Sequence, residues 1–348
     1  MNPKSITPAE IAAAMKMTER QLWTFTRNFE KLFKPTREIM IGSKKRAIDA
    51  PRDSAKKKLK LLHKWFFEKK LFHPSAHGGV RHRSCFTSAQ QHLGKKFVWT
   101  RDASDCYPSI TPEMFFYELK RIGFRQDTAT LLTRLCTVRG SIPQGSPVSN
   151  DAINLYFWRI DQFLKSLSGA NDLSYSRVAD DFVLSGYKKY LGDNILLRLE
   201  GMLQQFGIQI NDKKRRKSGF QNRSNPQLVH SIRVDLRRGT KISQEHRTKI
   251  IDLANSYEAA CKRVQPSSLE PIAHKRQQLI GYLHYSRQAD LSPIKHLKSK
   301  IQNGDRRVSR ILKNLHISAF KGKWWLVSSK RNEPRRLKSI WMKRLEAN

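Results

Sequence analysis

Apolar positions recur with helical spacing near the start of the chain. Over residues 8–33, Ile11, Met15, Leu22, Phe25 and Phe29 share one face, which predicts helix through that stretch. Leu59, Leu62 and Phe66 follow at i, i+3 and i+7, in a helix that Ser54 is placed to cap. The opposite face is Lys56, Lys57, Lys58, Lys60 and Lys64, read as a phosphate-contacting surface. The period then changes. Lys96–Asp102 reads as a strand, and Thr111-Pro112 opens a helix with Phe115, Leu119 and Ile122 inward. Ser149–Leu167 reads as a helix with Ile153, Phe157, Ile160 and Leu164 on one stripe. Leu173–Gly186 reads as two strands around a tight turn at Ala179-Asp180-Asp181. A helix over Asn194–Phe206 ends at Gly207, and Gly207–Asn211 alternates as a strand.

With the 149–167 helix set aside, this order is β-α-β-β-α-β, the ferredoxin-like split unit. In that topology the first and third strands pair at the sheet centre. Asp102 therefore comes close to the turn that holds Asp180 and Asp181. Beyond Lys213 the texture changes to a basic run at 213–217, a short strand at Val229–Val234, and helical stretches around 243–263 and 268–287.

Composition adds a partner to this picture. The 348 residues carry 67 Lys and Arg against 29 Asp and Glu, a formal charge of +38. Such self-repulsion opposes a compact state unless a polyanion offsets it, which points to nucleic acid. Residues 298–348 hold 15 Lys and Arg against 3 Asp and Glu, with Trp324, Trp325 and Trp341 interleaved, a composition suited to base stacking or to anchoring the fold. No apolar run approaches ~18 residues, so no membrane span is expected. No signal peptide is read at the N-terminus. Cys85, Cys106, Cys136 and Cys261 are scattered without zinc spacing, which fits free thiols in a cytoplasmic protein.

Against that positive background, three carboxylates converge at one predicted corner. A cluster of Asp102, Asp180 and Asp181 repels itself unless cations fill it. Hard oxygen ligands favour Mg²⁺, with Mn²⁺ as the alternative. Two such ions about 4 Å apart clamp the attacking and leaving oxygens of a phosphoryl transfer.

The motifs carry a resemblance. Arg101–Ile110 (RDASDCYPSI), Ser141–Asn150 (SIPQGSPVSN) and Val178–Gly186 (VADDFVLSG) resemble, in order and spacing, motifs A, B and C of reverse transcriptases. The resemblance implies an α+β right-hand polymerase fold, with fingers, a ferredoxin-like palm and a helical thumb. It implies an N-terminal helical extension over 1–29, fingers over 30–95, palm over 96–235, and thumb with a basic RNA-binding region over 236–348. It also implies RNA-directed DNA synthesis with two Mg²⁺ ions. Asp102 would ligate both, Asp180 would be the second ligand, Asp181 would complete or support the pair, and the Ala103 carbonyl would contribute. Asp105 would lie near the triphosphate, and Tyr107 would be the aromatic gate that excludes a ribose 2′-hydroxyl. Gln144 would contact nucleotide or template, and Gly145 would let backbone approach the nucleotide.

Gly42–Pro51 (GSKKRAIDAP) resembles the fingers segment, with Arg46 on the triphosphate and Lys44 or Lys45 assisting. In Asn211–Lys214, Lys214 (with Lys213 the alternative) resembles the lysine that protonates pyrophosphate.

Among reverse transcriptases, the stretches from Ala76 to Ser84 and Ser88 to His92 fall where bacterial retron enzymes carry an HGF…GRS stretch and NAxxH, and Val229-His230-Ser231 falls at their VTG strand. This implies RNA contacts at Ser88, His92, His230, Lys213, Arg215 and Arg216. Ser88 replaces an asparagine, and Val178 replaces the usual tyrosine before the paired aspartates. A retron or a related defence-associated enzyme is implied, with a noncoding RNA as template and primer, dNTPs, nascent DNA and an effector protein as partners. A maturase-like RNA-binding protein and an RNA-dependent RNA polymerase stay as alternatives.

Overall fold

The computed structural model describes residues 2–41, 44–212, 219–236, 239–264, 269–286 and 292–314. The chain divides into two compact units, one of residues 1–230 and 234–238, the other of residues 231–233 and 239–348.

The first unit begins with α1 (Pro8–Ala14) and α2 (Glu19–Arg27). A single helix was expected here. Lys16 instead turns to φ 55°, and Thr18 opens α2 with a capping box to Gln21. The predicted face is still buried: Ile11, Met15 and Leu22 are fully inside. A hairpin of β1 (Arg37–Ile41) and β2 (Lys44–Ile48) precedes α3 (Asp53–Glu68). Helix α3 starts one residue before the expected Ser54 cap and buries Leu59, Leu62 and Phe66. Lys58, read as part of a phosphate-contacting face, is corrected. Its Nζ donates to the carbonyls of Met15 at 3.0 Å and Lys16 at 2.9 Å, satisfying the open end of α1.

Next come α4 (Cys85–Gln90), β3 (Phe97–Ser104), α5 (Cys106–Ser109), α6 (Pro112–Arg121) and α7 (Gln126–Cys136). The expected 149–167 helix is two, α8 (Ser149–Tyr156) and α9 (Trp158–Ala170), which meet at Phe157. Strands β4 (Ser174–Val178) and β5 (Asp181–Gly186), helix α10 (Lys189–Gln205), and strands β6 (Gln209–Ile210), β7 (Phe220–Asn222) and β8 (Leu228–Val229) complete the unit.

The central sheet runs β4-β5-β3-β6, the order of the split β-α-β-β-α-β unit, with β7 added beside β3. One face carries Tyr175, Phe182 and Leu184 into a core with Phe157, Ile160, Leu199 and Leu203. On the other face Ser176 and Ser185 bond to residues of α4 and the turn after it. Both faces of β4 and β5 are thus covered, which fixes their register.

The second unit pairs β9 (Ile232–Arg233) with β10 (Lys241–Ile242). Its helices are α11 (Gln244–Ala260), α12 (Leu269–Ser286) and α13 (Ser292–Asn314). They pack around Ile250, Tyr257, Leu279, Leu283 and Val308. Arg276 forks onto Asp305 with both bonds at 2.7 Å, and Tyr257 donates to the same carboxylate. No helix among the described residues is long and apolar enough to cross a membrane.

Candidate active site

Antiparallel pairing sets Asp102 of β3 directly opposite Asp181 of β5. Val178 pairs with Asp181 as well, so Ala179 and Asp180 form a two-residue loop between β4 and β5. The Ala103 N–H donates to the Asp180 carbonyl at 3.0 Å, which holds that loop over the end of β3. Asp102 and Asp180 line one cavity of about 330 Å³, together with Ala103, Asp105, Tyr107, Gln144, Lys45 and Arg46. Asp102 is only 9% exposed. Asn211, which the sequence reading passed over, donates from its side chain to Asp102 Oδ2 at 3.0 Å and from its backbone to the Asp102 carbonyl at 2.8 Å. Its position just past the short strand β6 was the available signal.

After β3 the chain turns sharply. Asp105 sits at φ 44°, and α5 begins behind it. That turn buries Cys106 and brings the Tyr107 hydroxyl to donate to Asn150 Oδ1 at 2.6 Å. Burial, and then the nearby Asp180, push the phenol well above its ordinary range. Burial likewise pushes the Cys106 thiol up, so it has no thiolate character.

Gln144 and Gly145 connect this floor to the β1–β2 hairpin. The Asp49 N–H donates to the Gln144 carbonyl at 2.8 Å. Gly145 has φ +120°, and a Cβ there would lie 2.9 Å from Ile48 Cγ2 and 3.2 Å from the Asp49 carbonyl. The glycine is required by this close backbone approach to the hairpin, rather than only by an approach to a nucleotide. The hairpin in turn brings Arg46 to the cavity. Lys45 lines it too and pairs with Glu38 at 3.1 Å, a solvent-exposed ion pair that contributes little to stability.

The residues expected to contact RNA behave differently. Ser88 and His92 are fully buried. The His92 ring bridges Ser176 Oγ and Ser185 Oγ, both at 2.7 Å, and Ser88 Oγ lies 2.7 Å from Ser176 Oγ and 3.0 Å from His230 Nε2. Burial, with the neighbouring imidazoles of His230 and His77, pushes His92 down to about 3. The ring is neutral and joins α4 to the sheet. The expected RNA contacts at Ser88 and His92 are therefore corrected: both side chains are buried, and their polar atoms meet Ser176, Ser185 and His230. His230 also reaches inward, with Nδ1 3.8 Å from Asp181 Oδ2. Lys213, Lys214, Arg215, Arg216 and the three tail tryptophans lie outside the described residues, as does the side chain of Lys44.

The donor set suits a hard divalent cation. Among the described residues no three His, Cys, Asp or Glu side chains form a ready-made cage. Mg²⁺ does not need one, since it is commonly held by one or two carboxylates plus substrate phosphates. Asp102 and Asp180 at a cavity that also holds Arg46 offer that arrangement.

A split β-α-β-β-α-β sheet, with carboxylates at the ends of its two central strands and a basic hairpin facing them, defines a palm-type polymerase fold. The chain belongs to the reverse transcriptase family, described as "Reverse transcriptase (RNA-dependent DNA polymerase)", which matches residues 34–231. It is similar to the retron Ec86 reverse transcriptase of Escherichia coli, with 29% identity over 162 residues, 45% of this chain and 51% of that protein. It is also similar to the retron Se72 reverse transcriptase of Salmonella heidelberg, with 31% identity over 179 residues, 50% of this chain and 47% of that protein. The chain thus spans about half the length of these curated relatives. Apo telomerase from Candida tropicalis aligns with a TM-score of 0.50 at 11% identity, over 97% of this chain and 69% of that one, a likeness of fold.

Proposed function

We propose that the chain is an RNA-directed DNA polymerase that copies an associated noncoding RNA into DNA, in a retron or a related anti-phage defence system. The observation that carries this reading is the shared cavity of Asp102 and Asp180 beside Arg46, Gln144 and Tyr107. In this reading residues 30–95 act as fingers, 96–235 as palm and 236–348 as thumb and RNA-holding tail.

Arg46 and Lys45 bind the triphosphate of the incoming dNTP, with charge-assisted hydrogen bonds. Gln144 orients the nucleotide or its template partner. The Tyr107 ring occupies the space a 2′-hydroxyl needs, and Asn150 holds its hydroxyl. Asp102 and Asp180, with Asp181 and the Ala103 carbonyl, would hold two Mg²⁺ ions, whose chemistry is to stabilise charge on the attacking and leaving oxygens. The primer 3′-hydroxyl gives its proton to solvent, its oxygen bonds to the α-phosphorus, and the bond to pyrophosphate breaks, in line. Lys214 gives the departing pyrophosphate its proton.

Sequencing of the nucleic acid that co-purifies with the protein tests this reading. A covalently joined RNA–DNA species supports a retron. DNA without a branch supports the neighbouring defence group. RNA without any DNA contradicts a polymerase.

A further inference from the structure

Ala179, the first residue of the loop that carries Asp180, stands at φ 53°. A left-handed alanine is disfavoured by roughly 1 kcal/mol, and such a conformation persists only where its surroundings over-determine it. Here three contacts do so. The Ala103 N–H holds the Asp180 carbonyl from the side of β3. The Arg177 guanidinium donates to the Ala179 carbonyl at 2.7 Å from beneath. Gly78 packs from above: a Cβ there would lie 2.5 Å from the Ala179 nitrogen and 3.2 Å from the Val178 carbonyl carbon.

Each of the last two contacts is itself anchored. Arg177 is completely buried and forks onto Asp161 of α9, with bonds of 2.9 and 2.6 Å. It also donates to Asn154 Oδ1 at 3.2 Å, and Tyr175 donates to Asp161 at 2.6 Å. Asn154 of α8 donates in turn to the Gly78 carbonyl at 2.8 Å, which closes the ring from helix to glycine to loop. Backbone bonds tie the same two segments together, His77 N–H to the Arg177 carbonyl at 2.7 Å and Arg177 N–H to the Ser75 carbonyl at 2.8 Å. A buried ion pair is weak evidence for stability, because removing its two charges from water opposes folding. Its geometry here points to a use in orientation.

We propose that Arg177, backed by Asp161, and Gly78 are positioning residues that hold the Ala179–Asp180 loop in its left-handed turn and so aim the Asp180 carboxylate into the cavity it shares with Asp102. This rests on the reading of Asp180 as a metal-holding carboxylate. The outer partners of a metal ligand typically govern metal affinity or activity by about 10- to 100-fold.

The test uses the full chain with its RNA. Gly78→Ala leaves the ion pair intact and presses on the loop. The double variant Arg177→Met/Asp161→Asn removes both buried charges, keeps an acceptor for Tyr175, and lets go of Ala179. Mn²⁺ binding without dNTP, read by electron paramagnetic resonance, and kcat and KM for dNTP are measured beside the melting temperature. Both variants should weaken Mn²⁺ binding and lower kcat by about tenfold or more, with KM for dNTP and RNA affinity unchanged. Arg177→Lys, which keeps a donor for the Ala179 carbonyl, should retain more kcat than Arg177→Met. Folded variants that bind Mn²⁺ and turn over like the wild type would overturn the proposal. Should the double variant fail to fold, Gly78→Ala decides by the same readouts. A wild type whose Mn²⁺ binding is unmoved by Asp180→Asn would instead sink the reading of Asp180 itself.

Discussion

The hydroxyl of Tyr107 donates to Asn150 Oδ1 at 2.6 Å, which ties the aromatic residue of the first acidic motif to the helix that follows the PQGSP loop. Because burial holds the phenol protonated, that bond persists across the working pH range. If Tyr107 selects the sugar, Tyr107→Ala should relax the preference for dNTP over rNTP. Asn150→Ala, which frees the ring without removing it, should relax it less, by about 2- to 10-fold for one lost hydrogen bond. Competitive incorporation of dATP and ATP on one template reads both. Unchanged selection in Tyr107→Ala would remove the gate.

The imidazole of His92 serves the interior. His92→Leu should lower stability by about 1–3 kcal/mol, because Ser185 loses the partner its buried hydroxyl has in this structure. Affinity for RNA should stay at the wild-type value in the folded fraction. Chemical denaturation beside a filter-binding titration distinguishes this from RNA contact, which would weaken binding at unchanged stability.

His63 and Asp151 pair at 2.7 Å, the carboxylate fully buried. Burial pushes Asp151 up to about 6 despite that bond, and the bond raises His63. Both groups hold protons more tightly in the folded chain than in the unfolded one. Their contribution to stability is therefore full below the unfolded Asp pKa, near 4. It falls as pH rises through about 6 and on through the raised His63 value. The double variant His63→Gln/Asp151→Asn should lose that fall. Melting temperatures from pH 4.5 to 8 check it: a wild-type curve that runs parallel to the variant's would contradict the pairing.

Much of this arrangement was legible because the sheet is set by local signals. A Thr-Pro helix start, two short strands around a tight turn at 179–181, and a helix ending at Gly207 before an alternating strand read as the split unit, and the unit dictates that Asp102 meets the Asp180 turn. Other features had weaker signals. The Gly42–Pro51 stretch resembles a fingers segment, but its pairing as the β1–β2 hairpin carries no pattern, since Arg37, Glu38, Lys45, Arg46 and Ala47 are all exposed and no buried face imposes an apolar alternation. The break in the N-terminal helix was readable in hindsight from Thr18-x-x-Gln21. Ser88 and His92 misled because their RNA contacts were implied by the resemblance to the retron NAxxH stretch, and a motif does not say whether its side chains are buried. Only the fold reveals that Ser176 and Ser185 meet them inside. Arg177 carries no local signal, because its partner Asp161 reaches it only through the fold.

The excess of cationic residues should appear in binding. If RNA phosphates are neutralised along the basic surface, log affinity should fall by about 0.7 per contact for each tenfold rise in salt. Electrophoretic titration of the RNA at several salt concentrations gives the slope. A flat dependence would mean that the charge of +38 is not used on RNA phosphates.

The most direct test is single-turnover primer extension on an RNA template with dNTPs and Mg²⁺, comparing the wild type with Asp102→Asn. The asparagine still offers an acceptor to Asn211, so the local fold should hold. The account predicts templated DNA synthesis by the wild type and a rate lower by on the order of 10²-fold or more in the variant, at unchanged RNA affinity. A wild type that extends no primer with its own RNA, or a variant that extends as fast, would contradict it.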